Sequence, residues 1–256
     1  MKKLPSFLAL LVALAPFTGA LQYCPESGFE VRFIYGERRL IAGDFWVELI
    51  DDNTAVRIST YMGSNKTIDI PSHLNDLPVT EIASWAFDGR NLTNINIGNS
   101  VTTIGWAAFA NNQLTCIIIP DSVTDIGDGA FANNQLTNMR IGDNVTFIGV
   151  SAFENNQLTN ITIPGSVTVI GWGAFRNNQL VSVTIPDSLS SIAPMVFENN
   201  QLTEVAIPDS VTQIMARAFR NNQLASVTIS SDTSILMNAI GTQDNSFDWG
   251  VRIIRR

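Results

Sequence analysis

Histidine, cysteine and basic residues are scarce in this chain, and each shortage removes a class of function. His73 is the single histidine among 256 residues, and the cysteines are Cys24 and Cys116. Three such side chains at unrelated places do not assemble a zinc site, which draws on about four clustered ligands. Two thiols allow at most one disulfide, a Cys24–Cys116 bridge in an oxidising compartment. Lys+Arg number 15 against 23 Asp+Glu, a balance that disfavours nucleic acid and anionic membranes as partners. No Gly-x-Ser-x-Gly, His-Glu-x-x-His or glycine-rich phosphate loop occurs, so neither an enzymatic activity nor a cofactor is expected.

Long apolar runs are missing too, with one exception at the start. Phe7 to Phe17 is apolar, Lys2 and Lys3 precede it, and Thr18-Gly19-Ala20 follows. That order reads as an export signal over residues 1–20. The run is about 11 residues, short of the roughly 20 that cross a bilayer. No transmembrane segment is expected in the mature chain. Without Lys2 and Lys3 the balance becomes 13 against 23, a net charge of −10. A lipidated Cys24 would need a small residue before it, where Tyr23 stands. The expected location is therefore outside the cell or on its surface, with the periplasm as a variant.

What the chain does have is a repeat. Phe-x-Asn-Asn-Gln-Leu occurs six times at a spacing of 22 residues, with its Leu at Leu114, Leu136, Leu158, Leu180, Leu202 and Leu224. Leu92 extends the series back, and the Phe keeps time from Phe87 to Phe219. A constant period in the twenties predicts stacked coils, because one such unit cannot bury its own apolar face. Counting from the Leu, places one, four and six are apolar, and the sixth is always Ile, from Ile97 to Ile229. This alternation predicts a half-buried strand, paired in parallel with its copies about 4.8 Å away. Pro or Gly, usually with Asp and Ser, then turns the chain, as in Pro120-Asp121-Ser122.

Val-Thr-x-Ile follows as a second extended piece. Ala-Phe is expected in a short helical turn, with Phe filling the core and Asn closing the turn in a left-handed conformation. The Asn row from Asn111 to Asn221 is expected to bond amide to amide along the stack. Gly105, Gly127, Gly149 and Gly171 share a place held elsewhere by Ala83, Ala193 and Met215, so glycine there answers to tight packing rather than positive φ.

Coils of the form Leu-Thr-x-Ile-x-Ile-Pro-x-Ser-Val-Thr-x-Ile-Gly-x-x-Ala-Phe resemble the Treponema-type, or BspA-like, leucine-rich repeat over roughly Lys66 to Ser230. The opening coil matches through Ile68-Asp69-Ile70-Pro71, Pro78-Val79-Thr80-Glu81-Ile82 and Ala86-Phe87. It holds five extra residues between Ile70 and Ile82, where a loop should bulge. Many members have a cysteine near the Asn-Asn-Gln position; this chain does not. The resemblance implies an exported or surface protein that binds macromolecules, often as an adhesin, and it carries no shared set of binding residues.

The expected architecture is thus a mainly β repeat solenoid, a right-handed coil stack with a parallel sheet and short helical turns. Residues 65–230 form about eight coils. An N-terminal β cap over 21–64 holds a hairpin turning at Asp51-Asp52-Asn53, and 231–256 closes the other end with Trp249, Val251 and Ile253. On the long sheet, places three and five face outward and form the candidate ligand-binding face: Asn94, Asn96, Ile118, Asn138, Arg140, Asn160, Thr162, Thr184 and Glu204. Its expected partners are extracellular host or matrix proteins. A structural role by self-association is the alternative, and the Thr row from Thr80 to Thr212 raises ice binding as a remote third. Glu154, Arg176, Glu198 and Arg220 form a sign-alternating ladder. The turn row Asp121, Asp143, Asp187 and Asp209 is explained by turn chemistry ahead of calcium. Trp85, Trp106 and Trp172 fall on variable places near the Phe turn, where packing between coils is expected ahead of exposed anchoring.

Overall fold

Each coil begins with a strand only three residues long, because Pro or Gly ends it and turn residues follow. Leu114, Ile117 and Ile119 are buried while Cys116 and Ile118 point to solvent, the alternation the repeat dictates. The computed structural model describes residues 22–23, 30–34, 37–235 and 251–256. The export signal, Cys24 and Trp249 lie outside the described residues. Within them the chain is a mainly β solenoid of about eight turns with parallel sheets and no helix.

The first strands pair in register, Cys116–Ile118 with Asn138–Arg140 and Asn160–Thr162 with Ser182–Thr184. The second strands do likewise through Thr103–Ile104, Asp125–Ile126, Phe147–Ile148 and Val169–Ile170. Between the two ladders runs a column of phenyl rings from Phe87 to Phe219, all fully buried, with centroids 4.9 to 5.8 Å apart. Burying each ring contributes about 2–3 kcal/mol before conformational entropy is set against it.

The expected helical turn is instead a pair of hydrogen-bonded turns. Ala108 N–H donates to Gly105 and Ala110 N–H to Ala107. The residue two before each Phe has positive φ: Trp85, Ala107, Gly129, Ser151, Gly173, Met195 and Arg217 lie between 49° and 61°. A left-handed residue in every coil stops an α-helix from propagating. The N–H groups of Ala107, Phe109 and Asn111 then donate to Asp128, Ala130 and Ala132 of the next coil. A third backbone ladder results, on the corner of the stack.

Glycine behaves as the packing argument expects. A Cβ on Gly149 would lie 2.5 Å from the Asp128 nitrogen of the preceding coil, and its own φ is not positive. The second-strand ladder is interrupted after Gly171. Val169–Ile170 closes one sheet and Ser191–Ile192 opens another. Here Ala193 takes the glycine place and Pro194 follows; Ala83 at the same place still donates to Ile58 at 2.9 Å, so the break goes with the proline, which biases Ala193 toward extended conformations. Ile170 is 8 % exposed, against 0 % for Ile104, Ile126 and Ile148, and Phe175–Phe197 is the widest ring spacing, 5.8 Å. Pairing resumes at Gln213–Ile214, where Met215 N–H reaches Ile192 at 3.0 Å.

The N-terminal end is larger than a hairpin. Gln22–Tyr23, Glu30–Ile34, Glu37–Ala42, Phe45–Ile50 and Ala55–Tyr61 form an antiparallel meander, and Ala55–Tyr61 then pairs in parallel with Leu77–Ile82. Its turn at Asp51-Asp52-Asn53 has positive φ throughout. Tyr61 continues the phenyl column, stacked on Phe87 at 5.6 Å. The extra residues of the opening coil form a small hairpin, His73–Leu74 against Leu77–Pro78, turning through Asn75 and Asp76 at positive φ. At the far end, Arg252–Arg255 pairs in parallel with Ser226–Ile229, and Val251 and Ile253 pack against the core.

Candidate interaction surfaces

The first-strand ladder presents every side chain expected on the outward face. Asn94, Asn96, Ile118, Asn138, Arg140, Asn160, Thr162, Thr184 and Glu204 are all exposed, with Ile118 at 67 %. Register pairing sets them in two rows, Asn138 beside Cys116 and Arg140 beside Ile118. The strands are pinned from within, so these rows are pre-positioned. Arg140 is also tethered sideways, 2.8 Å from Asp121 and 3.2 Å from Asp143. The Asp143 backbone N–H, then the Arg140 guanidinium, hold the Asp121 carboxyl below its usual range. Arg140 thus supplies positive charge to the Asp turn row, and Arg256 does the same at Asp209, 2.8 Å away. Among the described residues no group of three or more His, Cys, Asp or Glu is arranged to hold a metal ion.

Two amide rows hold the corner. The outer row runs as expected: Asn133 donates to Asn111 at 2.9 Å, Asn155 to Asn133 at 2.8 Å and Asn177 to Asn155 at 2.7 Å, each Asn at φ of 55–56°. The inner row was not foreseen. Asn178 is buried and accepts from Leu158 N–H at 3.1 Å, while its amide donates to the Phe153, Phe175 and Arg176 carbonyls. Asn112, Asn134, Asn156 and Asn200 repeat this. The charge ladder forms as an interaction between coils, with Arg176 at 3.6 Å from Glu154 and 3.0 Å from Glu198. Hydroxyls of the Thr row donate to carbonyls one coil back, Thr102 to Thr80 at 3.0 Å and Thr146 to Thr124 at 3.3 Å. Those protons are committed to the stack, which weakens the ice-binding reading.

The tryptophans are more exposed than the packing expectation implies. Trp85 and Trp106 do pack together, centroids 4.7 Å apart at 49°. Yet Trp85, Trp106 and Trp172 remain 53, 54 and 59 % exposed. They occupy the corner beside the second strands, away from the nine residues above. The sequence signal was available: three tryptophans on places that the repeat leaves free.

A family model described as the BspA type leucine rich repeat region, in six copies, matches residues 59–181 and 169–241. This chain belongs to the BspA-type leucine-rich repeat family. BspA-type chains are typically secreted or on the surface, and leucine-rich repeats generally serve as non-enzymatic scaffolds for protein partners. A leucine-rich repeat protein of T. pallidum is similar in fold, at a TM-score of 0.53 and 24 % identity over 74 % of this chain and 84 % of that one. Another from Bacteroides ovatus has a TM-score of 0.61 and 24 % identity over 84 % and 67 % respectively. No curated protein matches. Among the described residues, no helix of this BspA-type chain is long and apolar enough to cross a membrane.

Proposed function

We propose that this BspA-type chain is exported and binds other proteins outside the cell, as an adhesin-like scaffold working through the outward face of its first-strand ladder. The observation that carries the reading is the pair of exposed rows from Asn94 to Glu204, mixed in chemistry and fixed on a backbone that does not need to rearrange. Pre-ordered side chains lose little entropy on binding, so even a polar face gains affinity. The export reading adds the leader-like first twenty residues. Fractionation of the source cells is expected to place the chain outside the cytoplasm. A pull-down at physiological salt with Asn138, Arg140 and Asn160 intact is expected to capture a host or matrix protein, and with all three changed to Ala to lose it. Capture unchanged by that triple substitution, or recovery from the cytoplasm, would count against the reading.

A further inference from the structure

The exposed tryptophans lie on the corner that the third backbone ladder holds still. Trp106, Asp128, Val150 and Trp172 occupy the same place in four successive coils, and Trp85 packs at a tilt against the first of them. Backbone bonds tie each coil to the next here: Trp85 N–H to Trp106, Ala107 N–H to Asp128, Gly129 N–H to Val150 and Ser151 N–H to Trp172. The first indole reaches the next coil, where its Nε1 lies 3.8 Å from the place a Cβ on Gly129 would take, an ordinary contact distance. The ring therefore lies across the next coil, beside Asp128.

Two carboxylates stand between the Trp106 and Trp172 ends. Asp128 is exposed and accepts from Val150 N–H at 2.8 Å. Asp125, on the adjoining second strand, accepts from Thr124 Oγ1 at 2.6 Å. Among the described residues neither has a basic side chain within ion-pair reach, whereas Asp121 and Asp143 share Arg140, and Glu154 and Glu198 share Arg176. Exposed indole faces beside uncompensated carboxylates are the chemistry that receives a guanidinium or ammonium group. The acidic balance of the whole chain adds to the attraction.

We infer that this corner is a second interaction site, separate from the first-strand face, and that it takes an extended protein segment carrying arginine or lysine. Trp106 and Trp172 are three coils apart, about 14 Å at the coil spacing. An extended peptide covers that length in about four residues. Basic side chains at i and i+4 therefore meet the two tryptophans, with Asp125 and Asp128 between them.

The test uses the full chain and the synthetic peptide Gly-Arg-Gly-Ser-Gly-Arg-Gly, titrated against intrinsic tryptophan fluorescence at low and physiological salt. Companion probes are the same peptide with citrulline for arginine, and dextran. The arginine peptide is expected to shift the emission saturably and to weaken with salt. Trp106→Ala with Trp172→Ala leaves the net charge unchanged and is expected to weaken binding about tenfold or more, read by isothermal calorimetry. Asp128→Asn keeps an acceptor for Val150 N–H and is expected to cost a few-fold. Asn138→Ala with Asn160→Ala, on the other face and without a change of charge, is expected to change nothing, which separates this site from the face proposed above. Equal binding of the citrulline peptide, a double-tryptophan variant that folds and binds as before, a response to dextran in place of the peptide, or no binding at all would each overturn the inference.

Discussion

A single side chain type, asparagine, does two different jobs in adjacent places of each coil. Outer residues such as Asn177 supply the left-handed turn and an exposed amide ladder, while inner residues such as Asn178 satisfy backbone groups that the core would otherwise strand. The difference is measurable. Asn178→Ala is expected to lower stability by about 2–4 kcal/mol, since Leu158 N–H loses its buried acceptor. Asn177→Gly keeps the backbone conformation and is expected to cost within about 1 kcal/mol, both variants being read by urea titration. The outer role was legible in the sequence because asparagine tolerates positive φ. The inner role was not, since the sequence does not say which of two adjacent amides turns inward.

Also at this scale, Asp121 ties stability to pH. Its folded pKa lies below the unfolded one, through the Asp143 N–H and then Arg140. Its contribution is thus complete above the unfolded value and is lost as pH falls through the depressed folded value. Acid, not alkali, is expected to weaken this contact. Carboxyl NMR of Arg140→Ala should find Asp121 titrating at higher pH than in the parent chain.

At the scale of elements, the contact between neighbouring coils decides what each place accepts. Gly149→Ala would press a Cβ against the Asp128 backbone, and a loss of about 1–3 kcal/mol is expected in thermal or urea unfolding. The second-strand ladder is broken at Ala193-Pro194, where a proline follows the glycine place, whereas Met215 at the same place keeps its bond to Ile192 at 3.0 Å. Hydrogen exchange is expected to be faster at the Ala193 amide than at Gly149 or Gly171, whose N–H groups donate to Ile126 at 2.8 Å and Ile148 at 2.7 Å. Strand positions and the Phe column could be read from the repeat, because burial leaves those places no freedom. The turn before Phe could not: its left-handed place accepts Trp, Ala, Gly, Ser, Met and Arg, and such variety gives no sign of the conformation.

Over the whole molecule, the repeat specifies a scaffold and leaves its outward places open. That is why the fold was legible from Leu92 to Ile229, while the sequence marks which places face outward and not which of them a partner would touch: Asn94, Asn160 or Trp172 could each be changed without disturbing a coil. The ends are another matter, because a stack is only as closed as its last strand. Arg252–Arg255 covers Ser226–Ile229, while Arg255 reaches the Ser231 and Thr233 carbonyls at 3.0 and 2.9 Å. Deleting residues 251–256 is expected to bare that edge, lower the melting temperature and produce concentration-dependent assemblies in size-exclusion chromatography.

The interruption beside Ala193 bears on how such a rod would carry load. Across that junction the first strands stay laced, Asn160–Thr162 to Ser182–Thr184; the first-strand ladder is in turn open between Asn94–Asn96 and Cys116–Ile118 and between Asn138–Arg140 and Asn160–Thr162, where the second strands stay laced. Tension along the axis would be shared unevenly at each such junction, and the rod would bend there toward whichever flank is laced. A tether fixed at one end and gripped at the other would feel compliant at first and stiff afterwards, with its give shared among the junctions where one flank is open.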